Sequence, residues 1–264
     1  MYFSRAKTFL IILFIFVNIF LINIIYSDSM EKKISEDSLK QTVSILKERN
    51  ITISEDTVNR NMQNMFYLNL SNPFSAESVN FKNITGKVEI KENFYTFIPE
   101  NSSCSFKNLM LSSQTGEDIL DILKNNGISS KYFVWDGTLD MGEGVYRATY
   151  YQNYESLRLY SSKLNVFFKE DKILRVEGNY FNILSVSSLE NKIISPLDIL
   201  INLSSFDFKE NVTVNSIERG YYTESIYSSY SSLTAIPCYR VVLNNGNEFY
   251  FDATNGDFIE LSKF

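Results

Sequence analysis

PCYRVVLNNGNEFYFDATNGDFIEL, residues 237–261, alternates short runs of Val, Tyr and Phe with two Asn-Gly pairs, Asn245–Gly246 and Asn255–Gly256. Strand formers separated by Asn-Gly give a strong local hairpin signal, because both central positions of a type I′ turn take positive φ. The stretch predicts a three-stranded antiparallel meander and makes sheet the framework of the fold. The chain's 21 Phe and 17 Tyr point the same way, since aromatic residues favour half-buried pleated surfaces.

Just upstream, SPLDILINLSSF (195–206) opens with Ser195 as a helix cap and Pro196 in the first turn, and NVTVNSIERGYY (211–222) reads as a strand. The same order of helix then strands occurs earlier. TGEDILDILKNNG (115–127) carries the apolar stripe Ile119, Ile122 and Leu123, with Gly127 placed to end the helix. KYFVWDG, GVYRATYYQNY and KLNVFFKEDKILRVEGNYF then follow, the last a hairpin turned at KEDK, residues 169–172. SEDSLKQTVSILKERN (35–50) is a third helix, capped by Ser35 or Asp37, with Leu39, Val43 and Leu46 as its stripe. Residues 51–70 are ambiguous and read as a strand and a short helix around MQNMFYLNL, a run that Pro73 ends. FKNITGKVEIKENFYTFI (81–98) predicts two strands with a turn at Thr85–Gly86.

The N-terminus differs in kind. Residues 8–26, TFLIILFIFVNIFLINIIY, hold no charge, and a helix of about 20 apolar residues spans a bilayer's hydrocarbon core. The stretch exceeds the apolar core of a secretory signal. The alternative, cleavage, has only the weak site Ser27–Asp28–Ser29. Arg5 and Lys7 precede the segment, so the positive-inside rule puts residues 1–7 in the cytoplasm and everything after Tyr26 outside. Phe14, Asn18, Leu21 and Ile25 share one helix face. Asn18 and Asn23 are amides in lipid, so that face is either a contact with another membrane helix or a tolerated pair of polar residues.

The fold class expected is therefore α+β: an N-terminal transmembrane helix, then an extracellular domain of antiparallel sheets with helices packed on one face. The segments are 1–7 cytoplasmic, 8–26 transmembrane, 27–35 tether, 36–114 an N-terminal subregion, 115–190 a first helix-plus-sheet unit and 191–264 a second.

Composition narrows function. The chain contains no histidine, which removes the commonest general base and zinc ligand. Beyond residue 26, 23 basic residues face 31 acids, a balance that disfavours nucleic acid. Cys104 and Cys238 either pair in an oxidising compartment or remain two buried thiols. WDGTLDMGEG (135–144) gathers Asp136, Asp140 and Glu143, but their spacing fits no calcium loop and reads as a polar loop between strands. Asp252, Asn255 and Asp257 read as a hairpin turn. Tyr221, Tyr222, Tyr227 and Tyr230 line either a ligand groove or an ordinary strand pair and loop. No GxSxG, Walker or GxGxxG motif occurs, so the expectation is a non-enzyme without metal or cofactor.

RAKTFLIILFIFVNIFLI (5–22), YRATYYQNY (146–154), the hairpin at 163–181 and IPCYRVVLNNGNEFYFDATNGDFIE (236–260) together resemble the YycI family across nearly the whole chain. The last segment also resembles PepSY-type domains: Pro237, Tyr239, Arg240, Gly246, Tyr250 and Gly256 occupy the motif places. The chain departs from the family pattern in having Tyr239 where Trp is frequent and Leu157–Arg158 where a Pro is. The resemblance implies a non-enzymatic, membrane-anchored regulator of a WalK/YycG-type sensor histidine kinase, with a YycH-like protein as second partner. Two other readings stand beside it, a PepSY-like module restraining an envelope hydrolase and an envelope enzyme built on residues 135–144.

Overall fold

The computed structural model describes residues 7, 10–22, 34–54, 57–58, 64–71, 85–91, 94–100, 113–125, 132–170, 172–223 and 233–263. Among them are four helices and thirteen strands in chain order. Residues 10–22 form α1. There follow α2 (Glu36–Glu48), β1 (Ile51–Ile53), β2 (Met65–Ser71), β3 (Gly86–Lys91), β4 (Phe94–Pro99) and α3 (Ser113–Asn125). The second half holds β5 (Phe133–Gly142), β6 (Val145–Tyr154), β7 (Leu157–Lys169), β8 (Lys172–Gly178), β9 (Asn182–Asn191), α4 (Pro196–Leu203), β10 (Val212–Tyr222), β11 (Leu233–Leu243), β12 (Asn247–Asp252) and β13 (Phe258–Lys263).

The class is α+β with one large mixed sheet. Its path runs β13-β12-β11-β10-β7-β8-β4-β3. The remaining strands branch off: β1 pairs with β10, β2 lies between β11 and β9, and β5 and β6 extend from β7. The pairing is not wholly antiparallel as expected. β1 and β7 each run parallel to β10. Alternation along a strand identifies the strand but not its neighbour, and parallel neighbours need long connections that local pattern does not report.

The helix caps match the sequence reading. Ser35 accepts from Ser38 N, and Leu39, Thr42 and Leu46 are buried. Ser195 and Asp198 form a capping box, with Pro196 just inside α4. In α3 the buried residues include Ile119 and Leu123 with Leu120, while Gly127 lies outside the described residues. The short helix expected around MQNMFYLNL is instead strand over 65–71, because Leu68 and Leu70 reach the core at period two. No turn stands at Thr85–Gly86: Gly86 is the first residue of β3 and pairs with Pro99 of β4. The expected loop at 135–144 is mostly β5, closed by Glu143 and Gly144. At both Asn-Gly pairs only the glycine takes positive φ, so neither loop is the two-residue type I′ turn.

Two apolar cores result. One joins α2, α4, β1, β2 and the inner residues of β10–β12, including Leu46, Leu68, Leu200, Val241 and Phe249. The other lies under α3 and includes Ile119, Leu123, Phe97, Tyr150 and Phe168. Within residues 36–114, α2, β1 and β2 contribute to the first core and β4 to the second. A small aromatic cluster of Tyr151, Tyr160, Tyr222, Cys238 and Tyr250 sits apart from both. Phe14 and Leu21 on α1 are exposed and Asn18 is half-buried, while Ile25 lies outside the described residues. Among the described residues no helix is long and apolar enough to cross a membrane, and the expected span of 8–26 extends beyond them.

Candidate functional site

Strand β7 is where the two cores meet. β6 pairs along one edge of it, with a bulge of Tyr160–Ser162 between Tyr151↔Lys163 and Gln152↔Leu159. The other edge is shared. Arg158 and Leu159 pair with Gly220 and Tyr221 of β10, and from Leu164 onward β8 takes over. Side chains fill the hand-over. Ser161 Oγ donates to Thr223 O and accepts from Thr223 N, and Asn179 Nδ2 donates to Ser161 O. Ser162 Oγ donates to Gln152 Oε1, while Gln152 Nε2 donates to Phe181 O. All five polar residues are buried, and their hydrogen bonds replace those of the interrupted ladder.

Beside this joint lies a buried charge cluster centred on Arg240. On β11, Tyr239, Val241 and Leu243 face the core shared with α4. Strand alternation therefore sends Arg240 to the opposite face, where it is only 3% exposed. Its two terminal nitrogens donate to the two oxygens of Asp136 at 2.9 and 2.8 Å. Nη2 also donates to Glu248 at 2.5 Å, and Tyr250 donates to that carboxylate's other oxygen at 2.6 Å. Arg158 Nη1 donates to Glu218 at 2.5 Å and lies 3.2 Å from Asp136. The Arg240 guanidinium stands 5.3 Å from the ring centre of Tyr151 and 5.5 Å from that of Tyr160, within cation–π range.

Burial works against the charge on Arg240, but the hydrogen bond and charge of Asp136 outweigh it and the pKa is raised. Burial lowers the Lys163 pKa, opposed by Glu248. Glu260, which accepts from Tyr222, is raised by burial. The Cys238 thiol is pushed well up by its apolar surroundings, the reverse of what a reactive thiol needs, and Cys104 lies outside the described residues.

The acids of 135–144 are separated. Asp136 enters the cluster, Asp140 accepts from Gly142 N in the exposed turn, and Glu143 sits in that turn at φ 54°. Asp252 accepts from Thr254 N and Asn255 from Asp257 N, which makes that stretch a turn. Among the described residues no three His, Cys, Asp or Glu side chains are grouped to hold a metal. Tyr221 and Tyr222 are buried strand residues, and Tyr227 and Tyr230 lie outside the described residues.

The motif positions at 237–256 mostly serve packing. Pro237 falls where one edge of β11 passes from β2, paired at Leu233–Ala235, to β12, paired from Cys238, so its missing N–H costs no ladder bond. Tyr239 is buried, its hydroxyl donates to Ile194 O, and burial pushes its pKa to about 12. Gly246 closes the β11–β12 loop at φ 79°. Gly256 combines φ 83° with close packing: a Cβ there would come within 2.5 Å of the Asn202 amide that bonds its carbonyl. Arg240 and Tyr250 are the two motif residues in the charge cluster. The signal in the sequence was Arg240 as a motif residue, and Glu248 carried none. Asp136 and Arg158 carried no such signal.

The YycI protein family matches residues 29–254. The chain belongs to the YycI family. It is a family of regulatory proteins that act with the YycG/WalK kinase system. Among curated proteins, no sequence matches this chain. A solved structure of an uncharacterized protein from Eubacterium rectale is similar over 85% of this chain and 99% of that one, at 8% identity and a TM-score of 0.46.

Proposed function

We propose that this YycI-family chain is a membrane-anchored accessory regulator of a cell-envelope two-component sensor histidine kinase of the WalK/YycG type. Residues 8–26 anchor it with the N-terminus inside, and the bulk of the chain lies outside the cell. It acts on the kinase, together with a YycH-like protein, through membrane-helix and exterior-domain contacts. The observation that carries this reading is the family match across residues 29–254. The lack of histidine, and of a metal-holding group of acids among the described residues, fits a protein that works by contact.

The test is Asn18→Leu, with Asn23→Leu as control, because five helical residues turn it about 140° away from Asn18. An interhelical amide bond in lipid is worth roughly 0.6–2 kcal/mol, so Asn18→Leu is expected to weaken kinase association about 3- to 30-fold. Kinase-dependent reporter output and co-purification of the kinase from detergent are the readouts. Wild-type behaviour in both, or full rescue by a foreign anchor, would eliminate the membrane-helix contact. The PepSY-like exterior module acting on an envelope hydrolase would then be the better account.

A further inference from the structure

Strand β10 has a gap in its ladder. β11 pairs with it from Val214 to Tyr222 and takes one edge. β1 and β7, both parallel to β10, therefore share the other. β1 reaches as far as Val214 and β7 starts at Gly220. Residues 215–219 lie between them and leave roughly 16 Å of strand edge unpaired among the described residues. No described residue gives the backbone of residues 215–218 a hydrogen bond on that side, and the Tyr160 hydroxyl meets Arg219 O only at 3.5 Å.

A cleft of about 350 Å³ opens along this edge, and its lining comes from both faces of the sheet. Ile217, Tyr239 and Pro196 of α4 belong to the side of the first core. Arg158, Tyr160 and Glu218 belong to the side of the Arg240 cluster. Side chains of a strand alternate between faces, so a space lined from both lies in the plane of the sheet, where a further strand would run.

The polar groups on the lining call for both halves of a hydrogen bond. Both ionic contacts of Arg158 are made through Nη1, to Glu218 and Asp136, and its Nε and Nη2 donate to nothing among the described residues. The side-chain oxygen of Asn153 is buried with no donor among the described residues. A native structure rarely leaves such an acceptor unmet. Charge is balanced, because Arg158 faces two carboxylates and Arg219 has a partner of its own. Val134, Leu157 and Ile217 give the walls apolar surface. On the rim, Ser156 takes φ 71° beside Glu155 at φ 47°, and strained non-glycine backbone collects at binding sites.

We propose that the gap in β10 is a strand-addition site for a short, uncharged, extended segment of a partner protein. Its peptide groups bring the N–H that Asn153 lacks and a C=O for Nε and Nη2 of Arg158, and they pair with the open edge of β10 as a strand does. Small apolar side chains fill the space against Val134, Leu157 and Ile217. The segment is internal to its chain, because a chain end would bring a buried charge that nothing in the cleft balances. The proposal is independent of the kinase reading, since it concerns this chain's own sheet.

The test is titration calorimetry on the full chain in detergent, with the heat of detergent alone subtracted. The probe is N-acetyl-Ala-Val-Ala-amide, which carries peptide groups at both ends and no charge. Saturable one-site binding is expected. N-methylated at all three residues, the peptide keeps its apolar surface and loses its strand-pairing donors, and should bind roughly 10- to 100-fold more weakly. Free Ala-Val-Ala, with two charged ends, should also bind more weakly than the capped peptide. Ile217→Trp fills the cleft and should abolish binding. Val134→Trp fills it from an exposed position on β5 and keeps the location testable if Ile217→Trp fails to fold. Equal binding of the capped and N-methylated peptides, free Ala-Val-Ala binding as tightly as the capped form, wild-type affinity in Val134→Trp, or no saturable binding of the capped peptide would overturn the proposal.

Discussion

The sheet formed by β10, β11 and β12 is covered on both faces, and the two faces are built from different chemistry. Toward α4 it presents Val241, Leu243, Phe249 and Phe251, which share one core with Ile199, Leu200 and Leu203. Apolar contact of this kind is non-directional, and such a face tolerates changes that keep volume. Toward β5–β7 the same strands present Arg240, Glu248 and Tyr250, which meet Asp136 and the rings of Tyr151 and Tyr160. There each group is satisfied only when a particular atom of a distant strand is in place. The first face holds a sheet to its helix. The second decides how that sheet sits against the rest of the chain, because a buried charge that loses its partner is expensive.

Substitutions on each face can break or sharpen this contrast. Asp136→Ala strips Arg240 of its two-point partner and should cost roughly 3–5 kcal/mol in urea unfolding. A cost no greater than that of a surface change would mean the two faces are equivalent. Leu200→Ala on the apolar face should cost roughly 2–5 kcal/mol, through lost transfer and the cavity left behind. Its effect should add to that of Asp136→Ala, because the two sites share no partner. Ser195→Ala removes the α4 cap and should cost about 1 kcal/mol, seen as a matching drop in the denaturation midpoint. Lys87→Ala breaks only the exposed pair with Glu89 on β3 and should leave the midpoint where it is.

The apolar face could be read from the sequence. Ser195–Pro196 marked the start of α4, and the runs around Asn245–Gly246 and Asn255–Gly256 marked β11, β12 and β13. Those signals are local, within a turn or one period of alternation. The charged face was half legible. Arg240 stood out as a motif residue, but Asp136 lies 104 positions away and looked like one acid among several in a polar stretch. Nothing nearby in sequence says which of Asp136, Asp140 and Glu143 turns inward. The β6–β7 turn was missed for a different reason. Glu155 and Ser156 adopt positive φ without the Asn or Gly that normally announces it. Strand β9 was missed because its exposed Leu184 and Leu189 break the in-out alternation that identifies a half-buried strand.

The central claim is that the Arg240 cluster makes one cooperative body of two cores. Trp135 is the chain's only tryptophan and packs in the core under α3, so its fluorescence reports that core alone, whereas far-ultraviolet dichroism reports the whole sheet. Urea unfolding of the full chain should give coincident transitions by both probes. Arg240→Met, which removes the partner of Asp136 without changing any residue of Trp135's own strand, should lower stability and pull the two transitions apart. Transitions that are already separate in the wild type, or that stay coincident at an unchanged midpoint in Arg240→Met, would contradict the account.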